Sequence, residues 1–315
     1  MPPKSNPLAD VWSAAAFRAA RAGYKLGIFD ALRDGPLTAA ETAQRVQCDE
    51  RGVRLLLETL EIFGYVIRTD DHYSNSEIAT DFAAPFDFWG TLVFALWSDL
   101  EQSIRNGMPP ADFYQWLEQH PDELRLFQGM LRGIAHAAAP EVVEKVSVPA
   151  HARRLLDIGG SHAEFSSAFC RQYEQMTATV FDLPGALQSA AAHDRISLQP
   201  GNFLRDDFGT GYDIALLMSV VHGHLPDVNI DLLRRVAAAL NPGGQVVILE
   251  QLANPKKKTN TFNRIFSLNL YHLQGGQTYS YEEIAAWLTT AGFKKPRRIN
   301  LRSGDSLIVG IRRGL

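Results

Sequence analysis

Apolar residues recur every three or four positions along much of the first 60 residues of the chain. One such segment covers residues 8–32 and is rich in alanine, and a second covers residues 53–62. Between them, Thr38 and Glu41 have the spacing of a capping box, in which two residues cap the first turn of a helix. Residues 65–76 then alternate between apolar and polar side chains. The pattern predicts short helices followed by a β-hairpin, which is the arrangement of a winged helix.

The second half of the chain alternates between strand patterns and helical patterns. Five segments are predicted as strands, at residues 155–156, 177–181, 196–199, 213–221 and 245–249. The polar residues expected at the ends of these strands are Asp157, Asp182, Asn202, His222 and Glu250. Repeated strand and helix units build a doubly wound parallel sheet, and ligands bind beyond the carboxyl ends of its strands. The five polar side chains are therefore expected to face one crevice.

Two further segments complete the predicted architecture. Residues 82–144 are helical and rich in aromatic side chains, and Phe127 with Met130 is the pair that best suits an apolar substrate cavity. Residues 295–313 predict a hairpin, so the sheet is expected to end in an antiparallel strand. The predicted parts are a helical, winged-helix domain at residues 1–100, a helical linker that lines a substrate cavity at residues 101–150, and an α/β domain at residues 151–315.

Composition and charge limit the possible functions. The chain has 315 residues, of which 46% are hydrophobic, and a net charge of −4. A chain of this length can bury a substantial core, and it has no basic stripe of the kind that nucleic-acid binding requires. DNA binding stays a distant alternative because of the winged-helix pattern. No apolar run resembles a signal peptide or a membrane span, so we expect a cytoplasmic protein. The two cysteines have no metal-ligand spacing, so we expect no metal site.

The residues after the first three predicted strands suit a nucleoside. Gly159 and Gly160 lack side chains, so a ligand can approach the backbone of their turn. Asp182 can accept hydrogen bonds from the two hydroxyl groups of a ribose. Asn202 and Phe203 can bind the edge and the face of an adenine ring. A nicotinamide dehydrogenase is disfavoured, because its pyrophosphate requires three spaced glycines and this turn has two adjacent ones.

These residues resemble those of the S-adenosylmethionine-dependent small-molecule O-methyltransferases, a family with an amino-terminal dimerisation domain. The family has a glycine-rich turn after the first strand, a phenylalanine-aspartate-leucine-proline sequence after the second, and a glycine-acid-phenylalanine sequence after the third. The matching positions are Gly159-Gly160, Phe181-Asp182-Leu183-Pro184 and Gly201-Asn202-Phe203. The resemblance covers nearly the whole chain. It implies a Rossmann-like methyltransferase sheet, S-adenosylmethionine as the cofactor and a homodimer.

The resemblance also implies roles for individual residues. His222 is expected to take the proton of the acceptor hydroxyl as general base, while Glu250 orients the histidine ring. The expected cofactor-binding residues are Asp157, Gly159, Gly160, Asp182, Leu183, Asn202, Phe203 and Ser219. The expected substrate-binding residues are Phe127, Met130, Asn269 and His272. The expected acceptor is a hydroxyl group of a small aromatic natural-product intermediate.

The sequence departs from the family pattern at five positions. Ser161 and Ala163 stand where glycine is common, and Asn202 replaces an acid. Met218 stands where plant members often carry a lysine, and Thr278 where they place a second orienting glutamate. The changes at Met218 and Thr278 leave open an alternative in which the protein binds S-adenosylmethionine but catalyses decarboxylation, hydroxylation or rearrangement.

Overall fold

The computed structural model describes residues 7–81, 88–92, 95–188, 190, 194–253 and 261–314. The fold consists of two compact units that divide the chain between Ser98 and Asp99. Residues 101–150, predicted as a helical linker, belong to the second unit. Among the described residues, no helix is long and apolar enough to cross a membrane.

The first unit is mostly helical. Its helices are Pro7–Lys25, Ile28–Ala31, Ala39–Val46, Glu50–Ile62 and Glu77–Asp81. Its short strands are β1 (Leu37–Thr38), β2 (Val66–Thr69) and β3 (His72–Asn75), which pair antiparallel in the order β1-β3-β2. The predicted capping box is confirmed, because the backbone N–H of Glu41 donates to the Thr38 hydroxyl and the Glu41 carboxylate accepts from the Thr38 N–H. The predicted hairpin is also confirmed.

The second unit is built around a seven-stranded sheet. Its strands are β4 (Arg154–Ile158), β5 (Thr177–Asp182), β6 (Ile196–Pro200), β7 (Tyr212–Met218), β8 (Leu240–Glu250), β9 (Phe293–Asn300) and β10 (Ser306–Arg312). Its helices are Leu100–Asn106, Phe113–Gln119, Pro121–Lys145, Glu164–Gln172, Pro184–Leu187, Pro226–Ala239, Thr261–Gln274 and Tyr281–Thr290, with a 3₁₀ turn at Val221–Gly223. A further 3₁₀ turn, Leu96–Asp99, spans the division between the two units.

The strand order is β6-β5-β4-β7-β8-β10-β9. Strands β4 to β8 pair parallel with one another, whereas β10 pairs antiparallel with both β8 and β9. The predicted doubly wound sheet with an antiparallel end is therefore confirmed. The order reverses beside β4, so the crevice for a ligand lies where β4 and β7 end.

Apolar side chains cover both faces of the sheet. Leu156 and Leu217 pack in a cluster with Trp287, a residue of the helix Tyr281–Thr290. The neighbouring residues Leu155 and Leu216 point to the opposite face, into a second cluster of buried side chains. Because side chains of a strand alternate between faces, a strand that is apolar throughout must be covered on both. This explains the continuous apolar pattern of β7.

Two predicted strand ends are wrong in detail. Asp157 does not stop the first strand, because β4 continues to Ile158 and Asp157 pairs with residues of both neighbouring strands. The fourth strand was predicted to residue 221, but β7 ends at Met218 and Ser219 follows with a φ of 59°. A left-handed residue turns the chain out of the sheet. The turn directs the next residues across the carboxyl edge.

Candidate active site

The carboxyl group of Asp157 is buried beneath the glycine turn. Its Oδ2 atom accepts a hydrogen bond from the Ser166 hydroxyl at 2.6 Å, while Oδ1 is buried and has no partner among the described residues. Burial raises the pKa of Asp157 to about 6, and the charge of Asp182 adds to this rise. A Cβ atom on Gly160 would lie 2.5 Å from Cγ of Asp157. Only glycine therefore fits at position 160.

The turn itself is strongly curled. Gly159, Ser161 and Ala163 have φ angles of 71°, 41° and 63°. Glycine adopts this left-handed region readily, whereas serine and alanine pay a conformational cost there. The two positions at which this chain lacks an expected glycine are thus positions at which the backbone has the conformation that favours glycine.

Asp182 ends β5 and faces the same turn. Its Oδ2 atom accepts from the backbone N–H of Ser161 at 2.9 Å, and its Oδ1 accepts from the N–H of Leu183 at 2.7 Å. Burial raises the pKa of Asp182 to about 6, although these two hydrogen bonds favour the charged form. Each carboxylate oxygen can accept more than one hydrogen bond. The group is therefore able to bind two ligand hydroxyls as well.

Asn202 stabilises its own loop. Its backbone N–H donates to Asp206 at 2.7 Å, and its side-chain oxygen accepts from the N–H of Leu204 at 2.9 Å. The amide NH₂ is the remaining side-chain group that can serve a ligand. The ring of Phe203 lies edge-on to His224, with 5.6 Å between centroids. Burial lowers the pKa of His224 to about 4, so this ring is neutral at pH 7.

His222 and Glu250 meet at the end of the sheet. Nδ1 of His222 lies 2.6 Å from Oε2 of Glu250, and the backbone N–H of His222 donates to Oε1 at 3.2 Å. Glu250 is only 3% exposed. A carboxylate at Nδ1 favours the tautomer with its proton there, which leaves Nε2 as a free acceptor. The arrangement can take a proton from an acidic group placed at Nε2.

Three residues that the sequence did not single out fix the loop around His222. Asn229 is fully buried, and its amide donates to the carbonyl oxygens of Val221 at 2.8 Å and His224 at 3.1 Å. The hydroxyl of Tyr279 donates to the same His224 oxygen at 2.6 Å. Gly276 packs directly against the backbone of the loop. The signal available in the sequence was the position of Asn229, which stands three and four residues before Leu232 and Leu233 on the apolar side of its helix.

The four residues expected to bind substrate lie on two helices, Phe127 and Met130 on Pro121–Lys145 and Asn269 and His272 on Thr261–Gln274. Phe127 is 8% exposed and contacts Phe113 edge-on, and Met130 is half-buried. Asn269 is 7% exposed. His272 has no exposed surface, and its Nδ1 lies 2.7 Å from the Ser103 hydroxyl. His272 thus connects the helix Thr261–Gln274 to the helix Leu100–Asn106.

An aromatic side chain of the helix Thr261–Gln274 lies beside His222. The ring of Phe266 stands 5.6 Å from the His222 ring and stacks at 6.0 Å with Phe262, which is exposed. Both belong to the helix Thr261–Gln274, where residues four apart share a face. This pair was not among the residues predicted to bind substrate.

Ser219, Met218 and Thr278, the other positions considered in the sequence, lie at the end of β7 and on the loop before Tyr279. The N–H of Ser219 donates to the carbonyl of Leu249 at 2.9 Å, and Met218 is buried at the end of β7. Thr278 is buried, and its hydroxyl donates to the side chain of Asn263 at 3.3 Å. Within the described ranges, no three side chains of His, Cys, Asp or Glu are grouped to hold a metal ion.

Comparisons with known proteins agree on the identity of both units. Residues 97–294 match the description of an O-methyltransferase domain, and residues 12–85 match that of an O-methyltransferase dimerisation domain. The chain is 25% identical over 313 residues to 3-hydroxy-5-methyl-1-naphthoate 3-O-methyltransferase of Streptomyces sahachiroi, which covers 92% of this chain and 90% of the relative. It is 26% identical over 336 residues to the mitomycin biosynthesis 6-O-methyltransferase of Streptomyces lavendulae, with coverage of 97% and 93%.

A solved structure shows the same fold. The structure of PigF with SAH matches with a TM-score of 0.88 and 25% sequence identity, over 98% of this chain and 99% of that one. The similarity therefore extends through both units.

Proposed function

Because the chain belongs to the O-methyltransferase family, as the sequence resemblance predicted, we propose that it methylates a hydroxyl group of a small aromatic molecule. The enzyme is dependent on S-adenosylmethionine. The observation that carries the proposal is the pairing of His222 with Glu250 at the carboxyl edge of the sheet, the same edge at which the glycine turn follows β4. The aromatic acceptor is supported by the naphthoate substrate in the name of one relative.

The residues around the glycine turn fit the cofactor. Asp182 has acceptor capacity for the ribose hydroxyls, and the unpartnered oxygen of Asp157 suits a polar group of the ligand. Any side chain at Gly160 would collide with Asp157. When bound, S-adenosylmethionine supplies an electrophilic methyl group on a positively charged sulfur. The protein's share of the reaction is to align the acceptor oxygen with that methyl group and to remove the acceptor proton.

We propose that His222 removes this proton through Nε2. The carboxylate of Glu250 accepts the Nδ1 proton and stabilises the positive charge that the ring gains. The backbone bond from the His222 N–H to Glu250 and the two bonds from Asn229 prevent the loop from shifting. Phe266 gives the histidine an apolar neighbour against which a planar acceptor can pack.

We propose that the first unit forms a homodimer. The dimerisation-domain match covers most of this unit, and several of its large apolar side chains are exposed, including Trp12 at 63% and Ile62 at 80%. Exposed apolar side chains of this size favour a protein partner over DNA. The paired charges of Arg54 and Glu58 on the helix Glu50–Ile62 agree with this choice, because they present no net positive charge to phosphate.

The test is calorimetric titration with S-adenosylmethionine and S-adenosylhomocysteine, followed by turnover of phenolic acceptors. We expect micromolar binding by the wild type and loss of binding by Asp182→Ala. The matched control is Asp231→Ala, which removes an exposed carboxylate from the helix Pro226–Ala239 and should leave binding unchanged. Absence of binding by the wild type would overturn the proposal. Binding without formation of S-adenosylhomocysteine from any phenol would favour the non-methylating alternative.

A further inference from the structure

One face of the helix Pro121–Lys145 contacts the glycine turn and the helix that follows it. Oε1 of Gln128 accepts a hydrogen bond from the Ser161 hydroxyl at 2.6 Å. Four and eight positions later, Arg132 and His136 contact the two carboxylate oxygens of Glu164 at 2.9 Å and 3.2 Å. Residues at this spacing lie on the same side of a helix. The helix therefore holds the turn from outside the sheet.

Ser161 is the residue at which this contact matters most. Its φ of 41° lies in the left-handed region, where a side chain is strained. In that conformation its backbone N–H donates to Oδ2 of Asp182. Its hydroxyl is held by Gln128 at the same time. A chain of hydrogen bonds thus runs from Gln128 through Ser161 to the carboxylate that is proposed to bind the ribose.

We propose that Gln128 is a positioning residue for the cofactor, which compensates for the absence of glycine at position 161 by holding Ser161 in the left-handed conformation. The inference rests on the proposed function, because it assigns Asp182 and the turn to S-adenosylmethionine. Without the bond from Gln128, the serine relaxes towards negative φ and its N–H turns away from Asp182. The pocket for the ribose is then less well formed before binding.

The two ion pairs on the same helix face are less suited to this role. The side chains of Arg132 and His136 are 52% and 77% exposed, and exposed ion pairs contribute little to stability. They also contact Glu164, which is the first residue of the following helix and is not itself a strained residue of the turn. Ala163, the other strained residue, has no side-chain group to hold.

The experiment is titration of the full-length protein with S-adenosylhomocysteine, using a double-mutant cycle between positions 128 and 161. Gln128→Leu keeps the side-chain volume but cannot accept a hydrogen bond, and we expect it to weaken binding about tenfold. Ser161→Ala removes the hydroxyl and keeps the strain, so we expect a similar loss. Combining the two should add less than about twofold to either alone, because both remove the same bond.

Ser161→Gly provides the rescue. Glycine needs no support at a positive φ, so Ser161→Gly should bind nearly as well as the wild type, and adding Gln128→Leu to it should change affinity less than about twofold. Arg132→Met is the control from the same helix face, and it should bind within about twofold of the wild type. In turnover assays Gln128→Leu should raise the KM for S-adenosylmethionine and leave kcat at saturating cofactor unchanged, since His222 and Glu250 are untouched.

Two results would overturn the inference. One is wild-type affinity in Gln128→Leu, and the other is a full tenfold loss from Gln128→Leu in the Ser161→Gly background. If Gln128→Leu does not fold, the Ser161→Ala and Ser161→Gly pair tests the same bond from its other end, and equal affinity of those two variants would contradict the proposal. Failure of the wild type to bind S-adenosylhomocysteine is a different result, because it removes the proposed function itself.

Discussion

Gly276 lies so close to the carbonyl group of His222 that a Cβ atom at position 276 would stand 2.0 Å from the carbonyl oxygen. The same atom would lie 2.6 Å from the carbonyl carbon of Gly223 and 2.8 Å from the backbone nitrogen of His224. These are backbone atoms, so no side-chain rotation can relieve the overlap. The loop that carries the histidine and the loop before Tyr279 therefore fit each other only with glycine at this position.

We expect Gly276→Ala to displace the His222 loop and to lower kcat by about 10²-fold or more, a loss typical of misplaced general bases. The measurement is S-adenosylhomocysteine formation with a phenolic acceptor. Gly129→Ala is the matched control, because Gly129 lies within the helix Pro121–Lys145 with open space around it. That control should keep its activity and gain up to about 1 kcal/mol of stability. Equal activity in the two variants would show that the close contact has no functional importance.

His222→Ala should lower turnover by about 10²-fold or more, because it removes the proposed proton acceptor. Glu250→Gln should lower turnover less, since glutamine keeps the hydrogen bond but not the charge that stabilises a protonated ring. Neither change should alter the affinity for S-adenosylhomocysteine. The check is a comparison of kcat with the calorimetric dissociation constant for each variant. Unchanged kcat in His222→Ala would remove the histidine from the role of base.

Asn229→Leu should lower kcat about tenfold, because the carbonyl oxygens of Val221 and His224 each lose one of their donors. Unfolding should also become easier by about 1 kcal/mol, the usual contribution of a lost hydrogen bond, since each oxygen keeps another donor. A purely structural role would lower the melting temperature and leave kcat of the folded enzyme as it was. The decisive readout is thus kcat well below the melting temperature of the variant.

Affinity for S-adenosylhomocysteine should fall as the pH drops through about 6. Burial raises the pKa of Asp182 to about 6, so its carboxylate is charged at pH 7.5 and largely protonated at pH 5. A protonated carboxyl has fewer acceptor sites for the ribose hydroxyls. Titrations between pH 5 and pH 8 measure the effect. Asp182→Asn should bind more weakly and with no inflection near pH 6, and an inflection that persists there would assign it to another group.

The contribution of Asp157 to the stability of the ligand-free protein should fall as the pH rises. An ordinary salt-bridged acid has the opposite effect, because its pKa is lowered on folding. Burial raises the pKa of Asp157 from 3.8 to about 6, so the folded state binds this proton more tightly than the unfolded state. The protonated Asp157 therefore adds roughly 3 kcal/mol to the free energy of unfolding below pH 4. This contribution is lost as the pH rises through 6. Thermal unfolding of Asp157→Asn and the wild type at pH 4 to 8 tests this. The variant should gain relative stability as the pH rises, and a constant difference would contradict the assignment.

Local patterns in the sequence were sufficient for much of the fold. The capping box at Thr38 and Glu41 needs only residues three apart, and the alternation of strand and helix in the second half depends on periods of two and 3.6 residues. The common location of the polar residues at the strand ends could also be predicted, because parallel strands of one sheet end at one edge. His222 and Glu250 could be paired in advance for this reason, although 28 residues separate them.

The sequence alone determined the fold class, the family and the edge of the sheet at which the site lies, because each depends on short-range periodicity or on motifs of a few residues. Only the tertiary structure decided which side chains support that site. Gln128 contacts Ser161 across 33 residues and His272 contacts Ser103 across 169, and no local pattern specifies such partners. The left-handed conformation of Ser161 was equally hidden, because a serine reveals a positive φ only when the surrounding structure imposes it.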